Sequence, residues 1–252
     1  MLKKLFEKIR HHRFGEKKRH KKEQNLRLID ETAPFNFVEA YKSLRTNIEF
    51  LAGTNNYRSI LITSAGPWDG KSTVTINLAT AMAYNGKKVI LVDCDLRKGS
   101  IATYLKIGRS SPGITDVLCG NKMLSEVIIH NDKLNIEILP VGALPFNPSE
   151  VIGSAAMVGI LQSLSDMYDY VFIDTPPVSV VTDAAILSRF VDGVLLVVRA
   201  GETTKQAFNL SKKKLEDVNA NILGAVLNAY HVKKYSYGSE YYSYGDYGDK
   251  KQ

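Results

Sequence analysis

Two cysteines, Cys94 and Cys119, are all that 252 residues contain. Isolated thiols of this kind make neither a disulfide framework nor a zinc site, so a reduced cytosolic setting is expected and both are read as packing residues. Also absent is any run approaching the ~20 apolar residues that a membrane-spanning helix needs. The first residues lack the apolar centre of a secretory signal, and no internal repeat interrupts the chain. Beyond residue 25 there is no charge excess. Residues 1–25, "MLKKLFEKIRHHRFGEKKRHKKEQN", hold ten Lys/Arg against three Glu and so account for the whole net charge of +7. The basic balance therefore describes an arm.

That arm suits an anionic membrane surface or nucleic acid, or else it is a solvated leader. Leu2, Leu5, Phe6 and Ile9 repeat at a short amphipathic spacing, which favours a membrane surface. With 44% hydrophobic and 23% charged residues, the remainder is ordinary enough to build one large α/β domain.

After the arm, Phe37, Tyr41, Leu44, Ile48 and Leu51 recur at three and four, predicting a helix over 36–52. Apolar strand-like runs follow at 59–65, 88–95, 135–141, 170–176, 193–200 and 222–229, with helices expected near 71–85, 148–166, 182–190 and 203–217. The strands read as nearly continuous apolar runs, so both faces should be buried. This predicts an α/β fold, a mostly parallel sheet with helices on both faces. The expected division is a basic arm at 1–30, one globular unit at 31–230 and a tail at 231–252. Ligands of such sheets bind beyond the carboxyl ends of the strands, which directs attention to the residues that end each strand.

The first strand runs into "SAGPWDGKST" (64–73). This is a phosphate-binding loop, G-x-x-x-x-G-K-[ST], with Ala65 at the first glycine position and Gly66 after it. Loop amides of Gly66, Asp69 and Gly70 at a helix N-terminus would cradle phosphates, Lys71 would reach the β- and γ-phosphates, and the Ser72 hydroxyl, beside Thr73, would bind Mg²⁺. The second strand ends "VILVDCDLRKG", where Asp93 and Asp95, two apart, should face one side. Two anions so close need a cation, for which Mg²⁺ or Arg97 is available. A later strand ends "VFIDTPP" and delivers Asp174 to the same edge as a second metal-side carboxylate. Three such sites, in this order, predict a P-loop NTPase that uses ATP and Mg²⁺.

"AGPWDGKST", "ILVDCDLRK" and "VFIDTPP" together resemble the Walker A, A′ and B set of bacterial tyrosine kinases, which accompany capsular or extracellular polysaccharide export. "EAYKSLRTNI", "PSEVIGS" and "VVRAGET" extend the resemblance over about 30–235. It is most similar to the Gram-positive type, whose kinase is a chain separate from its transmembrane adaptor. Within the wider deviant-Walker group, MinD and ParA ATPases carry an early loop lysine; Gly66 occupies that place here. The resemblance implies Arg199 and Asn228 near the adenine and a ring-shaped homo-oligomer built through E-x-x-R-x-x-R, here Glu39, Lys42 and Arg45. Lysine in the middle position lacks the bidentate fork of arginine. It also implies activation by the adaptor, a cognate phosphotyrosine phosphatase, and a cytoplasmic location at the inner face of the plasma membrane.

The chain ends "YSYGSEYYSYGDYGDKKQ", with Tyr235, Tyr237, Tyr241, Tyr242, Tyr244 and Tyr247 among Gly, Ser and acids. On this reading the tail is the substrate of an autokinase, with Lys71 stabilising the transferred group and Asp93 or Asp95 accepting the tyrosine proton. Its extended span of about 60 Å exceeds a domain radius near ~16 Å, so both cis and trans transfer are within reach. A non-kinase ATPase switch of the MinD/ParA kind is the alternative. A nucleic-acid module is disfavoured by the neutral core and by Glu240, Asp246 and Asp249 among the tyrosines.

Overall fold

A computed structural model of the chain describes residues 27–108 and 110–230. Most of the basic arm and all six tail tyrosines, Tyr235 to Tyr247, lie outside the described residues. The sheet has seven strands: β1 (Ser59–Ser64), β2 (Val89–Asp93), β3 (Ile129–Asn131), β4 (Ile136–Leu139), β5 (Tyr170–Asp174), β6 (Gly193–Arg199) and β7 (Ile222–Asn228). Their order is β3-β4-β2-β5-β1-β6-β7, and every pairing is parallel except β3 with β4. The mostly parallel sheet is as expected; the antiparallel edge strand β3 was not legible. It is three residues long and reads "IHN", too short and too polar to stand out.

Alternation along the strands splits the core in two. Leu61, Ile90, Val92, Val171, Ile173, Val194 and Leu196 face one side, where Met157, Leu161 and Leu164 of one helix and Leu215 of another cover them. Ile60, Ile62, Leu91, Phe172, Leu195 and Val197 face the other, beneath Val74, Leu78 and Met82. Burial on both faces holds for β1, β2 and β5 and fails at the sheet edges. Among the described residues β7 pairs with β6 alone, at the edge of the sheet, and Leu227 is exposed.

Helix α1 (Phe35–Asn55) lies outside α2 (Lys71–Ala83). Sandwiched between α1 and the sheet, α2 buries nearly every side chain, which explains its weak amphipathic signal in sequence. Tyr41 and Ala81 pack together with Ile29. Asn77 fixes the segment 27–30 that the sequence reading placed in the arm, accepting from the Ile29 N–H at 2.7 Å and donating to the Arg27 carbonyl at 2.9 Å.

The short helices α3 (Ser100–Tyr104), α4 (Ile114–Leu118) and α5 (Leu124–Val127) fill the β2–β3 connection, where sequence periodicity is too brief to register. The helix expected at 148–166 is two: α6 (Pro148–Ile152) and α7 (Ala155–Met167). Ser154 breaks it, taking an extended backbone and capping the Met157 N–H at 3.2 Å. Then come α8 (Asp183–Leu187), a 3₁₀ turn, and α9 (Lys205–Glu216), which Thr204 caps through the Ala207 N–H at 3.1 Å. No helix among the described residues is long and apolar enough to cross a membrane. Cys94 is buried as expected. Cys119 is exposed, since α4 ends at Leu118 and turns its next residue outward, so it is not a packing residue.

Candidate active site

The loop 65–70 joins β1 to α2. Its sharp turns fall at Trp68 and Gly70, with φ of 71° and 91°, rather than at Ala65 or Gly66. Ala65 still belongs to the sheet edge, its N–H donating to the Val197 carbonyl at 3.2 Å. At Gly70 a side chain is excluded twice: the backbone is left-handed, and an added Cβ would run into Asn228 Nδ2. Gly70 also leaves the N-terminus of α2 without a side-chain cap, so the first-turn amides of Lys71, Ser72 and Thr73 remain suited to an anion.

Asp69 ties the loop. Its carboxylate accepts from the Gly66 N–H at 2.7 Å and from Thr203 Oγ1 at 2.9 Å. Burial, partly offset by these bonds, holds its pKa above the usual range. Asn228 Nδ2 donates to the Asp69 carbonyl at 2.8 Å, and Arg199 Nη1 to the Trp68 carbonyl at 3.2 Å. Arg199 and Asn228, at the ends of β6 and β7, thus brace the back of the phosphate loop.

Beyond the strand tips three carboxylates surround one amine. Lys71 Nζ lies 3.1 Å from Asp174 Oδ2, 3.4 Å from Asp95 Oδ2 and 3.2 Å from Ser72 Oγ. The Ser72 hydroxyl donates to Asp174 Oδ2 at 2.6 Å. Burial alone would lower the lysine pKa, but Asp174, Asp95 and Asp93 outweigh it and keep Lys71 cationic. Asp174 is raised by burial despite Lys71 and Ser72. Lys71, Asp93 and Asp174 therefore form one electrostatic cluster around a retained lysine charge.

Asp93 and Asp95 do not share a strand face as expected, because β2 ends at Asp93 and Asp95 lies in the turn beyond. The turn itself brings Asp95 back towards Lys71. Asp93 is fully buried, with its oxygens accepting from the Asp95 N–H at 3.1 Å and the Ile101 N–H at 3.0 Å. Burial, and next the neighbouring Asp174, push its pKa up to about 8. Asp95 differs: its Oδ1 is buried with no hydrogen-bond partner among the described residues. Asp174 and the Ser72 hydroxyl bonded to it offer the hard oxygen donors a magnesium ion prefers, and the open α2 amides fit the phosphates it would accompany. The residues present therefore fit both Mg²⁺ and a nucleotide.

Arg97 bonds a different carboxylate from the one expected, and Asp95 acts on it only at longer range. Arg97 grips fully buried Asp183 at the start of α8 with two bonds, 2.8 Å from Nε and 3.0 Å from Nη2, and bonds Ser149 Oγ of α6 at 2.8 Å. Sequence reasoning missed Asp183, Ser149 and Thr203. "TDAA" at the head of a predicted helix was the only available signal for Asp183, and it reads as an ordinary cap. A cavity of about 300 Å³ opens here, lined by Lys71, Ser72, Asp95, Arg97, Trp68 and Pro177 among others.

Glu39, Lys42 and Arg45 stand apart from the cavity on α1. Lys42 pairs with Glu39 at 2.7 Å on the surface, while Arg45 turns inward, donating to the Ala81 carbonyl at 3.2 Å and lying 3.8 Å from Glu49.

A mostly parallel sheet, a phosphate loop entering a buried helix, and acidic residues at adjacent strand tips define a P-loop NTPase. The AAA-domain family matches residues 59–223. The chain is 36% identical over 212 residues to the tyrosine-protein kinase YwqD of Bacillus subtilis (strain 168), covering 84% of this chain and 86% of that one. It is also 36% identical over 215 residues to the putative tyrosine-protein kinase EpsB of Ralstonia solanacearum, though it spans only 28% of that longer protein. The kinase domain of Escherichia coli tyrosine kinase ETK superposes with a TM-score of 0.74 at 36% identity, covering 80% of each chain. MinD of Pyrococcus horikoshii, complexed with Mg-ADP, gives 0.57 at 28% identity, covering 68% of this chain and 69% of that one. The chain belongs to the bacterial tyrosine-protein kinases.

Proposed function

We propose that this kinase uses ATP and Mg²⁺ to phosphorylate the tyrosines of its own C-terminal cluster, Tyr235, Tyr237, Tyr241, Tyr242, Tyr244 and Tyr247, and so regulates synthesis and export of a capsular or extracellular polysaccharide. The observation that carries the reading is Lys71, cationic and held between Asp174 and Asp95 at the mouth of the phosphate loop. Bound Mg²⁺ supplies neutralisation of phosphate charge. Lys71 exchanges its carboxylate partners for γ-phosphate oxygens, while the α2 amides orient the β-phosphate. The tyrosine oxygen forms a bond to phosphorus as the bond to the ADP oxygen breaks. The phenol proton passes to Asp95, whose Oδ1 lacks another partner. Asp174 and Ser72 would hold the Mg²⁺ ion. Asp93 orders the turn that carries Asp95 by accepting from its N–H.

The same reading includes a transmembrane adaptor that activates the kinase, a phosphotyrosine phosphatase that resets it, and a ring-shaped homo-oligomer through Glu39, Lys42 and Arg45. Residues 1–25 would rest on an anionic inner membrane surface. Phosphotyrosine in 235–247 that forms with ATP and adaptor, and is lost in Lys71→Met, tests the assignment. A MinD-like switch is the second reading, favoured by the shared fold; phosphate release with no phosphotyrosine would support it.

A further inference from the structure

Trp68 is the chain's only tryptophan, and its situation is unfavourable on two counts. Its φ of 71° is a left-handed conformation that a bulky side chain adopts at a cost. Its large apolar ring is also 60% exposed. Neither folding nor core packing calls for such a residue in a phosphate loop. The backbone beneath it is nonetheless pinned, since its carbonyl accepts from Arg199 and the next residue, Asp69, bridges Gly66 and Thr203.

The ring lines the same cavity as Lys71, Ser72 and Asp95, together with Pro176, Pro177 and Val180. That second apolar segment is also held in place, because Lys214 Nζ donates to the Val178 carbonyl at 3.3 Å and the Ser179 carbonyl at 2.9 Å. Arg199 and Asn228, the residues assigned to the adenine, do not line the cavity. An acceptor hydroxyl that delivers its proton to Asp95 must carry its ring into this space. Lys98 Nζ sits 5.7 Å from the centre of the Trp68 ring, placing positive charge beside it. The tail tyrosines are interspersed with Glu240, Asp246 and Asp249, a complementary pattern.

We propose that Trp68 is the acceptor-recognition residue of this kinase: its indole receives the phenol ring of the tyrosine to be phosphorylated, with Pro176, Pro177 and Val180 completing the slot. The assignment rests on the kinase reading above and deepens it. Offset or edge-on pairing of two aromatic rings corresponds to about a three- to tenfold change in affinity.

The test uses the full chain with its six tail tyrosines changed to serine, so that an added peptide copying residues 235–247 is the only tail acceptor. Trp68, Trp68→Phe and Trp68→Gly forms are compared with ATP, Mg²⁺ and the adaptor. Glycine suits the left-handed backbone, so Trp68→Gly should melt at or above the parent. Its KM for the peptide should rise about three- to tenfold with KM for ATP unchanged, and Trp68→Phe should recover most of the loss. A second measurement needs no turnover. As the lone tryptophan, Trp68 reports directly by fluorescence, and in the Lys71→Met background the tyrosine peptide should shift its emission saturably while a serine-substituted peptide should not. Equal peptide KM in all three forms, or the same emission with both peptides, overturns the proposal. So does a rise in KM for ATP alone, which would make Trp68 a nucleotide platform. If the Trp68 parent forms no phosphotyrosine, the kinase reading fails on its own account, and the fluorescence titration still decides the placement of the ring.

Discussion

Asp93 and Asp174 stand in direct register on adjacent parallel strands, both fully buried, at the point where β2 and β5 end. Two carboxylates so placed are unstable as bare anions. The fold resolves this with backbone amides on Asp93 and with Lys71 on Asp174. The same lysine, once drawn to a nucleotide, would leave behind negative charge for a metal ion to neutralise. Binding and catalysis are thus written into one electrostatic balance.

Lys71→Met removes the cation from that cluster. Phosphotransfer should fall by about 10²-fold or more, as for loss of a charge-stabilising donor. The nucleotide-free protein should lose stability by roughly 3 kcal/mol, partly recovered as a carboxylate takes up a proton. Phosphotyrosine assays and denaturant titration check the two effects.

Magnesium should couple to the nucleotide. ATP with Mg²⁺ should raise the melting temperature more than ATP with a chelator, and chelation should abolish phosphorylation. Calorimetric or fluorimetric melts measure the first and radiolabel transfer the second.

Gly70→Ala should abolish nucleotide binding, because the methyl group meets Asn228 and the backbone is left-handed. Adding Asn228→Ala relieves the collision but not the left-handed backbone cost of about 1–2 kcal/mol. The double variant should therefore recover part of the binding in a titration.

Asp183→Ala should loosen Arg97 and with it the link from β2 to α6 and α8. Loss of this bidentate partner, half of a pair whose arginine is partly exposed, should cost about 2 kcal/mol in denaturant titration. Phosphorylation should weaken while ATP affinity changes little.

Lys42→Ala and Arg45→Ala should separate assembly from folding. Lys42 makes only a surface pair, so its removal should change stability by less than about 0.5 kcal/mol while weakening the ring in sedimentation. Arg45 also bonds the Ala81 carbonyl of α2, so Arg45→Ala should lower the melting temperature as well.

The parallel sheet and phosphate loop were legible because β1, β2 and β5 are largely apolar runs, of which β1 leads into the phosphate loop and β2 and β5 end on Asp93 and Asp174. What escaped depends on contacts distant in sequence. Arg97 was read as the aspartates' counter-charge because Asp95 is two residues away; its partner Asp183 is 86 residues on. The Asp69 carboxylate ties the loop to Gly66 and Thr203, a side-chain role no sequence signal announced. The period-two argument for Asp93 and Asp95 failed because the strand ends at Asp93, two residues short of Asp95, yet the turn brings Asp95 back to Lys71. β7 reads as a buried strand by composition, but its place at the sheet edge is set by topology.

Phosphotyrosine mapping by mass spectrometry tests the central claim most directly, comparing wild type with Lys71→Met in the presence and absence of the adaptor. The account predicts ATP-dependent phosphate on tyrosines within 235–247, stimulated by the adaptor and missing from Lys71→Met. Wild-type protein that hydrolyses ATP with its adaptor yet carries no phosphate on those tyrosines would contradict it.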